Sequence, residues 1–95
     1  MKKVQDPVIE LMKVMVGLNH KLPFYRNGKP CFEPYRNHYG VTPGTEEAEI
    51  LMRLEIDGLA VCTWSTKYNR DYYLTRKGLD WLGEQIGIYI TEIRR

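Results

Sequence analysis

Apolar positions near the start of the chain recur with the helical period. Val8, Leu11, Met12, Met15 and Leu18 fall on one face. Asp6 can cap the first free N–H groups of such a helix, and Pro7 occupies the first helical position, where its missing N–H costs nothing. Gly17 and Asn19 supply stops, so the spacing predicts a helix that closes near Gly17. A second helix opens at Thr45, carries Ile50, Leu51 and Leu54 inward, and closes at Asp57-Gly58. A third opens at Thr75 with Leu79, Leu82, Ile86, Ile90 and Ile93 on one stripe. Ile88 to Ile93 has the composition of a strand as well, and the continuity of the stripe favours helix there. Gly78, Gly83 and Gly87 weaken that helix by about 1 kcal/mol each relative to Ala.

Between the second and third helices the period changes. Leu59 to Thr66 and Tyr72 to Thr75 are rich in β-branched and aromatic residues, and the polar run Lys67-Tyr68-Asn69-Arg70 separates them, as in a hairpin. From His20 to Gly44, Pro23, Pro30, Pro34 and Pro43 forbid a long helix. Asn27-Gly28 fits a type I′ turn and predicts a short hairpin, provided Pro30 lies at an edge. At most one helical turn fits between Pro34 and Tyr39. The pattern therefore predicts one α+β domain over residues 1–95, with three helices and a two-stranded hairpin. Leu11, Met15, Leu51, Leu54, Leu74, Leu82 and Ile86 are expected to form its core.

The order helix, Asp57-Gly58-Leu59, strand, polar tip, then a strand ending Tyr72-Tyr73-Leu74-Thr75 before Gly78 resembles the second half of winged-helix domains. That resemblance implies a winged-helix-like fold whose wing is the hairpin. A helix-turn-helix also needs a helix ahead of the recognition helix, and the proline-rich region offers none of useful length. A second resemblance is to small uncharacterised proteins of bacteriophages and prophages. It rests on Tyr35-Arg36-Asn37-His38-Tyr39, Asp57-Gly58-Leu59-Ala60 and Tyr72 to Gly78. Position by position, the matching residues are Arg36, Asn37, His38, Gly58, Leu59, Leu74, Thr75 and Gly78. It implies a phage-encoded origin and no particular activity.

Charge changes this picture more than composition does. Residues 1–44 carry a net +4, residues 45–58 a net −4 and residues 59–95 a net +2. Glu46, Glu47 and Glu49 suit the positive end of the second helix dipole, and Glu49 precedes Arg53 by the four residues that favour an ion pair. The same carboxylates repel phosphate, which counts against nucleic acid on that helix. The longest apolar run, Val14 to Leu18, falls far short of the roughly 18 residues of a membrane span. Gln5-Asp6-Pro7 interrupts any signal-like start, so a cytoplasmic location is expected.

No residue pattern points to catalysis. Cys31 and Cys62 sit in no activating motif, and reduced thiols are expected. His20 and His38 form no close pair with them, so neither metal nor cofactor is expected. Two clusters are candidate binding residues. Arg36, Asn37 and His38, between Tyr35 and Tyr39, combine a guanidinium with groups that donate and accept, and Arg36 could reach Glu46 or Glu47. Alternatively, Tyr35 and Tyr39 pack inward while Asn37 and His38 close a turn. Lys67, Arg70, Arg76 and Lys77 mix with Trp64, Tyr68 and Tyr72 on the hairpin and the helix after it. The expected function is a non-catalytic module engaging a host or phage protein. The alternative is a nucleic-acid-binding regulator using the wing and the basic N-terminal half. Trp81 and Ile88 lie outside the main stripe of the third helix and are candidates for a homodimer contact.

Overall fold

All three helices begin where a side-chain oxygen meets an unpaired N–H of the first turn. In α1 (Pro7–Val16) the Asp6 carboxylate accepts from Val8 N at 2.9 Å, and Pro7 takes the first helical position. In α2 (Glu46–Ile56) Thr45 Oγ1 accepts from Ala48 N at 3.3 Å. In α3 (Arg76–Ile86) Thr75 Oγ1 accepts from Gly78 N at 3.0 Å, and its own proton goes to Gly58 O at 2.8 Å. The last pair of bonds ties the start of α3 to the end of α2. The computed structural model that supplies these distances describes residues 6–18, 22–34 and 36–91.

Among the described residues the strands form two three-stranded sheets. In the first, β1 (Phe24–Arg26) and β2 (Lys29–Phe32) pair antiparallel, and β6 (Tyr89–Ile90) runs parallel to β2. Asn27 and Gly28 both have positive φ, at 53° and 77°, as the expected type I′ turn requires. Pro30 is not on an edge strand, because β2 lies between β1 and β6. It sits opposite Tyr25, at the pair after the Arg26–Lys29 pair that closes the hairpin, so its nitrogen faces away from β1. On that other side β6 pairs only from Cys31 onward, and no ladder bond is lost.

The second sheet has the order β3-β5-β4, with β3 (Tyr39–Val41), β4 (Ala60–Ser65) and β5 (Arg70–Leu74) all antiparallel. The expected hairpin is present as β4–β5, and β3 extends it to a third strand. Both expected hairpins are present, β1–β2 and β4–β5, and the described residues hold two further strands, β3 and β6. These lie at the end of the proline-rich region and after α3, where short strands leave little periodicity to read.

The continuation of α3 through Ile88 is corrected. Gly87 is left-handed, φ 74°, and donates to Gly83 O to end the helix; the chain then turns into β6. Gly83 makes the turn possible, since a Cβ there would stand 2.4 Å from the Ile88 carbonyl oxygen. Gly78 is constrained in the same way by Leu59 O, at 2.1 Å from where its Cβ would lie. These glycines weaken α3 locally but permit its contacts with β6 and with the start of β4. Ile93, the last residue of the expected stripe, lies outside the described residues.

Helices and both sheets share one contiguous set of buried side chains, including Leu11, Met15, Phe32, Leu51, Leu54, Tyr72, Leu74, Leu82 and Ile90. Six of the seven expected core residues are buried, and Ile86 is half-buried at its margin. Trp81 and Ile88 are also half-buried against this core, so the exposure that suggested a dimer contact is small. Among the described residues, no helix is long and apolar enough to cross a membrane.

Candidate functional site

Residues 36–38 run from β2 towards β3 past two backbone ends. α1 finishes with carbonyls that have no helical partner, and these carry the negative end of its dipole. Arg36 donates to Val14 O from Nε at 3.1 Å and from Nη2 at 2.7 Å, and His38 N donates to Met15 O at 3.2 Å. The second open end is the β3–β5 ladder. Tyr39 opposes Tyr72, so two residues further along this register residue 37 would oppose Leu74. There the Asn37 side-chain amide replaces a peptide: Nδ2 donates to Leu74 O at 2.9 Å and Oδ1 accepts from Leu74 N at 2.8 Å. The Arg36 guanidinium, expected to reach Glu46 or Glu47, is directed to the end of α1. Tyr39 is half-buried against the core, and Tyr35 lies outside the described residues.

His38 differs from its two neighbours. Its side chain is 65% exposed, and Nε2 lies 3.4 Å from Asp71 Oδ1 across the sheet. Gly40, opposite Asp71, leaves room for that carboxylate, because a Cβ there would stand 2.9 Å from Asp71 Oδ1.

His38 and Asp71 belong to the outer face of the β3-β5-β4 sheet. Side chains alternate along a strand, and directly opposed residues share a face. Tyr72 and Leu74 point into the core, so Asp71 and Tyr73 point out, together with their partners Trp64 and Val61. A bulge between Cys62 and Trp64 shifts the register of β4 and brings Trp64 to this face. The result is an open aromatic surface: Trp64 is 57% exposed and Tyr73 is 38% exposed. The inner face packs against the helices, with α2 on β4 and both α1 and α3 on β5. Sequence reasoning had grouped Tyr72 with Trp64 and passed over Tyr73. The burial of Leu74 would have shown the opposite assignment, since residues 72 and 74 share a side.

The four cations expected to act together are dispersed. Lys67 is at the hairpin tip, where Thr66 Oγ1 accepts from Tyr68 N and Asn69 N, and its ammonium lies 5.8 Å from the centre of the exposed Tyr68 ring. Arg70 alternates onto the side of Tyr72 and is half-buried. At the other end of the strand, roughly 13 Å away at about 3.3 Å per residue, Arg76 forms an ion pair with Asp80 at 2.8 Å. Its guanidinium also donates to Ile90 O and stacks over the Tyr89 ring, which joins α3 to β6. Lys77 reaches Asp57 O at 3.4 Å.

Cys31 in β2 is buried, Cys62 in β4 is half-buried, and both are free thiols. Among the described residues, no group of three or more His, Cys, Asp or Glu is placed to hold a metal ion. Comparison of the chain with protein-family models, curated proteins and solved structures gives no match.

Proposed function

We propose that this chain is a non-catalytic binding module of winged-helix type that engages a protein partner through the open face of its β3-β5-β4 sheet. The observation that carries the reading is Trp64, more than half exposed beside Tyr73 on the sheet face turned away from the described helices. Tyrosine and tryptophan combine large apolar area with few rotors, and they are enriched where proteins bind proteins. The His38–Asp71 pair gives this surface a polar border able to accept and donate.

The winged-helix assignment is supported by α2 leading through Asp57-Gly58-Leu59 into an antiparallel hairpin, then into α3 capped by Thr75. A phage or prophage origin rests on the motif resemblance at Arg36 to His38 and at Leu74 to Gly78. Nucleic acid is the weaker reading for three reasons. β1 to β3 occupy the position where a helix-turn-helix would need its preceding helix. The first turn of α2 is acidic. The cations are split between the two ends of β5, and Arg76 is already paired.

Affinity capture by the full chain from bacterial lysate tests the proposal. A protein retained by the wild type should be lost with Trp64→Ala/Tyr73→Ala while the melting temperature holds. Retention of duplex DNA, with the steep salt dependence of counterion release and no effect of Trp64→Ala, would favour the nucleic-acid reading instead.

A further inference from the structure

A second concave surface lies among the helices, away from the open sheet face. α1 packs on α3 and β5 while α2 packs on β4, and the seam between α1 and α2 is left as two adjoining grooves. The larger, about 520 Å³, has an apolar floor of Val8, Ile50, Leu54, Leu59 and Trp81. The smaller, about 290 Å³, shares Ile50 and Glu46 and continues towards Leu11, Val14 and Tyr39. Six carboxylates line the pair: Asp6, Glu46, Glu49 and Asp57 on the first groove, Glu10 and Glu47 on the second. Arg53 is the one cation among the residues lining them.

Helix dipoles account for part of this charge. Asp6 caps α1, and Glu46, Glu47 and Glu49 sit in the first turn of α2. They do not account for Asp57, at the far end of α2, where a carboxylate meets the negative pole. Nor do they account for an apolar floor bordered by these carboxylates, with a half-buried Trp ring in it. A cluster of helix-start acids serving only the dipole needs neither.

We infer that this seam receives a cationic amphipathic segment of a protein partner. Its apolar face lies on Val8, Ile50 and Trp81, and its Lys and Arg side chains meet the bordering carboxylates. Helix-in-groove recognition has this form: apolar anchors at helical spacing supply affinity and flanking charge supplies orientation. Nucleic acid is disfavoured by like charge along the whole seam.

The probe is a synthetic 18-residue helical peptide of Lys and Leu, with Leu at the i, i+3, i+4, i+7 positions. It is titrated into the full chain carrying Trp64→Phe, so that Trp81 is the sole reporter. Binding should move Trp81 emission to shorter wavelength. The Glu46→Lys/Glu49→Lys variant should weaken binding at least tenfold, and added salt should weaken it in the wild type, as expected for screened charges. Asp57→Lys should weaken it as well, and there the dipole favours the new cation, so the loss cannot be put down to a destabilised helix. Absence of any emission change overturns the proposal, as does equal binding of the same peptide with Glu in place of Lys. Charge reversals that leave affinity within twofold overturn it too, as does a dimer of this chain that the peptide fails to displace. The open sheet face is outside this readout, so failure here leaves the reading of Trp64 and Tyr73 standing.

Discussion

The loop at Arg36 to His38 and the hairpin from Trp64 to Tyr73 carry the same kinds of side chain: a cation, an amide and an aromatic ring. In the loop most of that chemistry is turned inward, with Arg36 on Val14 O and Asn37 on both polar groups of Leu74. In the hairpin it is turned outward, with Trp64, Tyr68 and Tyr73 exposed. The difference lies in the backbone. α1 ends, and β3 stops pairing with β5, where carbonyls and an N–H would go unsatisfied, and buried peptide groups must find partners. β5 is paired on both sides and β4 on one, so Trp64 and Tyr73 are not drawn in to complete the main chain and stay available for another molecule. Functional-looking residues next to unfinished secondary structure are first candidates for finishing it.

Asn37→Ala should have the largest effect on stability. It leaves both the N–H and the C=O of Leu74 without their Asn37 partners, and at roughly 1–3 kcal/mol per unsatisfied group the loss is about 2–6 kcal/mol. For a chain of this size each kcal/mol is worth about 4–8 °C, so thermal unfolding should show a fall of about 10 °C or more. Arg36→Ala comes next, at about 1–2 kcal/mol, from loss of a charge-assisted bond at a helix C-terminus. Gly17 N also donates to Val14 O at 3.1 Å, so the carbonyl is not orphaned and the cost stays below that of Asn37→Ala. If instead Arg36→Ala melts like the wild type and loses a partner, the loop is a binding site and the contrast drawn with the hairpin fails.

Much of the fold was legible because its signals are local. Asp6, Thr45 and Thr75 cap their helices from within three residues, and Asn27-Gly28 sets its hairpin from the turn itself. Pairings between distant segments were not legible. β6 joins β2 across 58 residues, and nothing in Tyr89-Ile90 names Cys31-Phe32 as its neighbour. The stripe through α3 read onward into β6 because Ile90 faces the same core from a strand as it would from a helix. The fate of the loop was hidden for the same reason. Arg36 meets a carbonyl 22 residues upstream, and Asn37 meets a strand 37 residues downstream. Burial of Tyr72 and exposure of Tyr73, by contrast, could have been read from alternation with Leu74.

Two smaller effects sharpen the contrast from the hairpin side. Trp64→Ala should change stability by less than about 1 kcal/mol, since a ring this exposed gives up little buried area; denaturant unfolding with an unchanged m-value would check it. His38→Ala should be smaller still, within about 0.5 kcal/mol, because the His38 side chain is 65% exposed and touches Asp71 only at 3.4 Å. Its backbone bond to Met15 O is kept in that variant. A drop comparable to that of Asn37→Ala would place His38 with the inward-turned residues.

The most direct test of the central claim is partner capture by Trp64→Ala/Tyr73→Ala and by Asn37→Ala, compared at equal folded concentration well below either melting transition. The account predicts that the hairpin variant retains less than a tenth of the wild-type partner with a nearly unchanged melt. The loop variant should keep its capture despite a much lower melting temperature. Undiminished capture by Trp64→Ala/Tyr73→Ala would contradict it.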